Sequence, residues 1–353
     1  MIKIEGSAIV YCEGSLSTTY GKTAHGLIRR SKRFQVKTII DSECAGKDAG
    51  EIIDGKPCGI PVAKNLSDAI ALCKGDTPKF FVFGMAPDGG KLAKEHRSTV
   101  CEALKAGLNI VAGLHEHLSE DPEFAALGKT HGVTIYDIRK SPPRDQLHGF
   151  TGDIKNVRGS RIAVLGTDSA IGKRTTAWKI QEAMQAQGVA AEMIGTGQTG
   201  WLQGARYGII LDALINDFIP GELENAILQA SKEVDPDYYV IEGQGSLLNP
   251  AYPSGLEIIA ASRPSAIVLQ HAPARLEYDG FPGFPIQDLA KQIKLIEMLA
   301  GDGTVKAITI NHENLSEAET NQWCAKIEEE TGLITRDVLR GNAKDLLPAL
   351  MQR

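Results

Sequence analysis

Apolar positions along the first 140 residues fall into stretches of two lengths. Short β-branched runs at 7–11, 36–40, 80–83, 109–111 and 133–136 have the length of strands, and the longer amphipathic segments 65–73 and 92–106 have the length and period of helices. Ser67 and Asp68 open the first helix and Gly107 ends the second, because short polar side chains satisfy first-turn amides and glycine tolerates the left-handed turn after a helix. Strands alternating with helices predict βαβ units around a parallel sheet, since parallel neighbours need a long crossover. The turn after the first strand, Glu13-Gly14-Ser15-Leu16-Ser17-Thr18-Thr19-Tyr20-Gly21-Lys22-Thr23, lacks the G-x-G-x-x-G spacing of a dinucleotide loop, which argues against a nicotinamide dehydrogenase.

Between 139 and 160 this pattern stops. The stretch is polar, carries Pro142-Pro143 and has no apolar period, so it reads as a linker. A second alternation follows, with strands at 161–165, 190–194, 238–241, 266–269 and 307–310 and helices at 175–187, 220–232, 286–299 and 317–330. Two α/β domains, 1–150 and 151–353, are therefore expected, with no internal repeat, heptad run or low-complexity tract.

The start of the second domain changes the picture most. Gly166-Thr167-Asp168-Ser169-Ala170-Ile171-Gly172-Lys173-Arg174-Thr175-Thr176 joins a strand to a helix through a glycine-bounded loop. Such a loop turns backbone N–H groups inward as an anion nest, the helix N-terminus adds partial positive charge, and Lys173 reaches over the phosphates. The C-terminal domain is thus expected to be a parallel sheet of the P-loop NTPase kind, beside a Rossmann-like N-terminal one. Two departures stand out: the spacing is Gly-x5-Gly-Lys, and Arg174 replaces the hydroxyl that usually follows the lysine and binds Mg²⁺. Arginine binds phosphate but not a cation. Anion binding is kept and metal binding weakened, which makes a metal-free phosphorylated ligand such as coenzyme A a rival to ATP with Mg²⁺.

Composition narrows the partners. With 38 basic and 44 acidic residues the net charge is −6, which argues against a nucleic acid or an anionic membrane as the main partner and leaves a small molecule. Aromatic residues at 6% leave little for stacking platforms. No uncharged apolar run reaches membrane-spanning length, and Lys3 and Glu5 interrupt the start where a signal peptide would be apolar, so a cytoplasmic location is expected. Cysteines 12, 44, 58, 73, 101 and 324 form no Cys-x-x-Cys and read as reduced, mostly buried thiols. No metal site is predicted; the pair His115 and His117 has no third spaced ligand. Many apolar segments rich in small residues predict a homo-oligomer.

Other candidates follow from position. Gly195-Thr196-Gly197-Gln198-Thr199-Gly200 follows a strand and offers close backbone approach, making Gly197, Gln198 and Thr199 candidate substrate contacts. Glu242 ends a buried strand before Gly243-Gln244-Gly245-Ser246, where it would act as general base, hold a metal-bound water or fix an amine; Gln244 joins the substrate contacts. Asp217 is a second candidate base or a cap for the helix beginning at Pro220. His271 and Arg275 follow the strand at 266–269, and Arg275 suits a carboxylate or a phosphate. The aromatic loop 278–285, rich in Gly and Pro, reads as a lid or an oligomer contact.

Taken together, Lys22-Thr23-Ala24-His25-Gly26, the 166–176 loop, 195–200, 212–221 and Glu242-Gly243-Gln244-Gly245-Ser246 resemble the domain-of-unknown-function 1611 family along nearly the whole chain. The resemblance implies a Rossmann-like domain joined to a P-loop domain similar to dethiobiotin synthetase, whose loop shares the Gly-Thr-Asp start and the spacing. A branch of the family is assigned D-glutamate N-acetyltransferase activity with acetyl-CoA. Carried to this chain, that implies an N-acetyltransferase acting on a small amino acid. Residues 166–176 would hold the coenzyme phosphates, Glu242 or Asp217 would take the amine's proton, and Lys22, Thr23 or Arg275 would bind substrate. An ATP- and Mg²⁺-dependent ligase or kinase, and a non-catalytic nucleotide or CoA sensor, are the alternatives.

Overall fold

The computed structural model describes residues 4–352. The chain divides into two compact units, Met1–Pro142 with Gln198–Gly204, and Pro143–Gly197 with Ala205–Arg353. No helix among the described residues is long and apolar enough to cross a membrane.

The first unit holds β1 (Gly6–Tyr11), β2 (Phe34–Ile40), β3 (Val62–Ala63), β4 (Phe80–Phe83), β5 (Asn109–Ala112) and β6 (Ile135–Asp137). They pair in parallel in the order β3-β2-β1-β4-β5-β6, so the strand order reverses between β1 and β4. The helix expected at 92–106 begins only at Arg97 and runs to Lys105. Leu92 N–H is taken by Glu116 at 2.8 Å, Ala93 is extended and Lys94–His96 form a separate 3₁₀ turn, so these five residues stay outside the helix. The helix at Leu66–Leu72 is capped by Asn65, whose side chain accepts from Asp68 N, rather than by Ser67 or Asp68.

The second unit holds β7 (Ser160–Gly166), β8 (Ala191–Gly195), β9 (Tyr207–Gly208), β10 (Tyr238–Glu242), β11 (Ala266–His271), β12 (Thr304–Ile310) and β13 (Ile334–Arg336). All are parallel, in the order β13-β12-β11-β7-β10-β8-β9. The central strands are apolar on both faces. Ala163, Leu165, Tyr239, Ile241, Ile267 and Leu269 enter one core, while Ile162, Val164, Tyr238, Val240, Ala266 and Val268 enter the other. Two buried faces explain why these strands read as continuous apolar runs. The helix expected at 286–299 starts at Leu289, because Ile286 N–H pairs with the Leu276 carbonyl and Asp288 is extended. Sheet pairing sets Glu242 beside Val164 and Gln270 beside Gly166, bringing the carboxyl ends of β10, β7 and β11 together.

Candidate functional site

The loop after β7 is shaped by its backbone. Ala170 and Gly172 take positive φ, +53° and +102°, and Gly172 leads into the Lys173–Ala186 helix with no side-chain cap. First-turn amides that no side chain caps are the donors an anion uses. Lys173 is buried, and its ammonium donates to the Asp168 carbonyl at 2.5 Å. Its stem crosses two glycines: a Cβ on Gly166 would lie 2.8 Å from Lys173 Cδ, and one on Gly243 3.1 Å from it. Burial lowers the Lys173 pKa to about 8, against the pull of Asp168 and Glu242 toward the charged form.

Asp168 is fully buried and saturated with donors. Its Oδ1 accepts from Ser169 N at 2.7 Å and Asn249 Nδ2 at 3.0 Å; Oδ2 accepts from Arg275 Nη1 and Asp279 N, both at 2.9 Å. The Arg275 guanidinium also donates to Ser169 O at 3.0 Å, and through Nε and Nη2 to Glu313 Oε2 at 2.9 and 2.7 Å. Arg275 therefore clamps the loop. Thr167 Oγ1 shares a 3.0 Å hydrogen bond with His271 Nδ1, and burial holds that imidazole at about 4, neutral at ordinary pH.

The hydroxyls beyond Lys173 diverge. Thr176 is buried and donates to Gln270 Oε1 at 2.5 Å, an oxygen that also accepts from Thr309 Oγ1 at 2.6 Å. Thr175 is half-buried. Arg174, at the position after the lysine, brings positive charge to Glu242.

Glu242, at the end of β10, is 3% exposed. Its Oε2 accepts from Thr196 N at 2.9 Å and Gly197 N at 3.2 Å. Thr196 Oγ1 donates to the Glu242 carbonyl at 2.8 Å and accepts from Gln244 Nε2 at 3.1 Å. Burial raises the Glu242 pKa, opposed by Arg174, these two amides and Lys173. A buried carboxyl with a raised pKa near a lysine with a lowered one makes this end of β10 a candidate site.

The structure thus brings together residues 166–176, Gly197, Glu242, Gln244 and Arg275. Asp217 is exposed in the turn Asn216–Phe218, and the helix Ile219–Glu233 begins without a side-chain cap, so Asp217 does not cap it. Gln198 and Thr199 open the buried helix Gln198–Gln203, which belongs to the first unit. There the Gln198 side-chain amide sits between Gly113 O at 2.6 Å and Arg139 Nη2 at 3.2 Å, which its nitrogen and oxygen satisfy when the nitrogen faces Gly113. Lys22 lies exposed and Thr23 buried at the start of the helix Lys22–Arg29, also in the first unit. Asn249, Gln270 and Glu313 escaped sequence reading, since none lies in a motif whose spacing signals chemistry.

The first unit has a carboxylate-anchored turn of its own. In the turn after β1, Ser15 N and Leu16 N donate at 3.2 and 2.9 Å to Oδ2 of Asp41, the residue that follows β2.

Comparison with known proteins places this geometry. Residues 148–347 match the family model described as Domain of unknown function (DUF1611_C) P-loop domain, and 42–141 match Domain of unknown function (DUF1611_N) Rossmann-like domain. A protein named D-glutamate N-acetyltransferase from Tritonibacter scottomollicae is 33% identical over 279 residues, covering 77% of this chain and 81% of that protein. A protein of the same name from a Pseudoalteromonas species is 30% identical over 277 residues, with the same coverage. The crystal structure of a DUF1611 family protein from Anabaena variabilis is similar with a TM-score of 0.90 at 33% identity, covering 98% of this chain and 99% of that one.

Proposed function

The chain belongs to the domain-of-unknown-function 1611 family, and from that premise we propose that it is an acetyl-CoA-dependent N-acetyltransferase acting on a small amino acid of the D-glutamate kind. The observation that carries the reading is Arg174. A second cation stands where a magnesium-binding hydroxyl would be, and the buried Thr176 hydroxyl is engaged by Gln270. Residues at this loop fit a phosphorylated ligand: uncapped first-turn amides after Gly172, and the cations Lys173 and Arg174. The names of the two relatives support transfer of an acetyl group to an amino acid.

In this reading the amides after Gly172, Lys173 and Arg174 hold the coenzyme phosphates. The coenzyme supplies the acetyl thioester. Glu242 would take the proton that the acceptor's amine nitrogen gives up as it forms the C–N bond to the acetyl group, and would return that proton to the coenzyme's sulfur as the C–S bond breaks. Burial raises the Glu242 pKa, which strengthens it as a base. The test is acetyl transfer to a panel of D- and L-amino acids, followed by mass spectrometry and thiol release. The expected result is an N-acetylated acidic amino acid with an equivalent of free thiol. An inert panel overturns the reading.

A further inference from the structure

Asp168 was expected among the residues that touch the phosphorylated ligand, but its hydrogen bonds assign it other work. Both carboxylate oxygens are taken, by donors from three separate stretches of chain: Ser169 in the anion loop, Asn249 in 246–252, and Arg275 with Asp279 in 275–285. The second and third stretches are each closed on themselves. In the second, Ser246 N donates to Tyr252 O at 3.0 Å, and Asn249 Oδ1 accepts from Ala251 N and Tyr252 N, both at 2.9 Å. In the third, Glu277 bridges Pro285, Tyr278 N donates to Phe284 O at 3.0 Å, and Gly280 and Gly283 take positive φ. The Tyr252 and Phe281 rings meet at 6.2 Å, so the second and third stretches also touch each other. Phe284 and Leu276 are exposed while Tyr278, between them, is buried. The 275–285 stretch is therefore an exposed strap anchored at Arg275, by Asp168 and Glu313, and at Asp279, by Asp168.

The same residue also meets the site's lysine. Its backbone carbonyl accepts from Lys173 Nζ at 2.5 Å, while its carboxylate holds the strap. A phosphate that draws the Lys173 ammonium away removes that donor from the carbonyl of the residue that pins the strap. We infer that Asp168 is a positioning residue that couples occupancy of the anion loop to the order of the 275–285 strap, with Arg275 as its partner in that role rather than as a substrate carboxylate binder. Only the ligand arm of this inference rests on the acetyl-CoA reading.

The experiment compares hydrogen exchange of the full-length protein with that of Asp168→Asn, Arg275→Met, Arg275→Lys and the Asp168→Asn/Arg275→Met double variant, and measures acetyl-CoA affinity for each. Asparagine at 168 sets an N–H₂ against two donors, so exchange in 276–285 should rise by about tenfold or more and acetyl-CoA affinity should fall by a comparable factor. Arg275→Met should act the same way, the double variant should be no worse than either single one, and Arg275→Lys should restore part of the protection. In the wild type, saturating acetyl-CoA should change exchange in the same stretch, and this change should be lost in Asp168→Asn. Unchanged exchange at 276–285 in both single variants, or additive effects in the double variant, overturns the inference. If Asp168→Asn fails to fold, Arg275→Met and Arg275→Lys decide the matter alone. If the strap loosens as expected while the wild type binds no acetyl-CoA, the positioning role stands and the acetyltransferase reading falls.

Discussion

If the loop binds a phosphorylated ligand as proposed, Lys173 should make that binding depend on pH. Burial lowers its pKa from 10.5 to about 8, so keeping the ammonium charged in the empty loop costs about 3 kcal/mol. A bound phosphate supplies the missing negative charge and returns the lysine toward its ordinary value. Below about pH 8 both states are charged and this group adds no pH dependence. Above it the empty loop releases a proton that the complex keeps, so binding takes up a proton and affinity falls by about tenfold per pH unit until the complex also titrates. Near pH 8.5 about three quarters of a proton should be taken up. For folding the sign is opposite: the native pKa lies below the unfolded one, so this lysine's contribution rises with pH between about 8 and 10.5 and is lost as pH falls through about 8. Titration calorimetry with acetyl-CoA between about pH 7 and pH 9.5, in buffers of different ionisation enthalpy, reads the uptake directly. Lys173→Met should bind about 10- to 100-fold more weakly at pH 7 and show no such slope, as expected when a charged hydrogen bond is removed. Flat wild-type affinity across the range, or the same slope in the methionine variant, refutes the reasoning.

Two further variants probe neighbouring parts of the site. Glu242→Gln keeps the shape but removes the base, so kcat for acetyl transfer should fall by about 10²-fold or more while acetyl-CoA affinity changes only a few fold; a loss under about tenfold argues that another group takes the proton. At Gly243 a Cβ would lie 1.9 Å from the Val164 carbonyl oxygen. Gly243→Ala should therefore push the end of β10 off β7, costing about 1–3 kcal/mol. A thermal melt should show the midpoint several degrees lower, and an unchanged midpoint contradicts the close approach.

What was legible in the sequence follows from period and length. Central strands such as β7 and β10 are apolar on both faces, and the glycine-bounded loop between β7 and its helix has a spacing that reads as an anion nest. The strands β3 and β9, of two residues each, are too short to show a period. Gln198 and Thr199 look like a site loop because they follow β8, yet Arg33 and Gln203 bonds hold their helix in the first unit: Arg33 Nε donates to Trp201 O at 2.8 Å and Gln203 Nε2 to Gly26 O at 2.7 Å. Long-range bonds of this kind leave no local pattern. Arg275 shows the same limit: its position after β11 marks it as a site residue, but only the geometry reveals that its fork is spent on Asp168 and Glu313.

Calorimetric titration of the full-length protein in the presence of EDTA decides whether this loop carries the phosphates of coenzyme A without a metal, as proposed. The account predicts saturable, one-to-one acetyl-CoA binding that EDTA leaves unchanged and Arg174→Ala weakens by about tenfold or more. Binding of ATP that requires Mg²⁺, with no heat from acetyl-CoA under any condition, would contradict it.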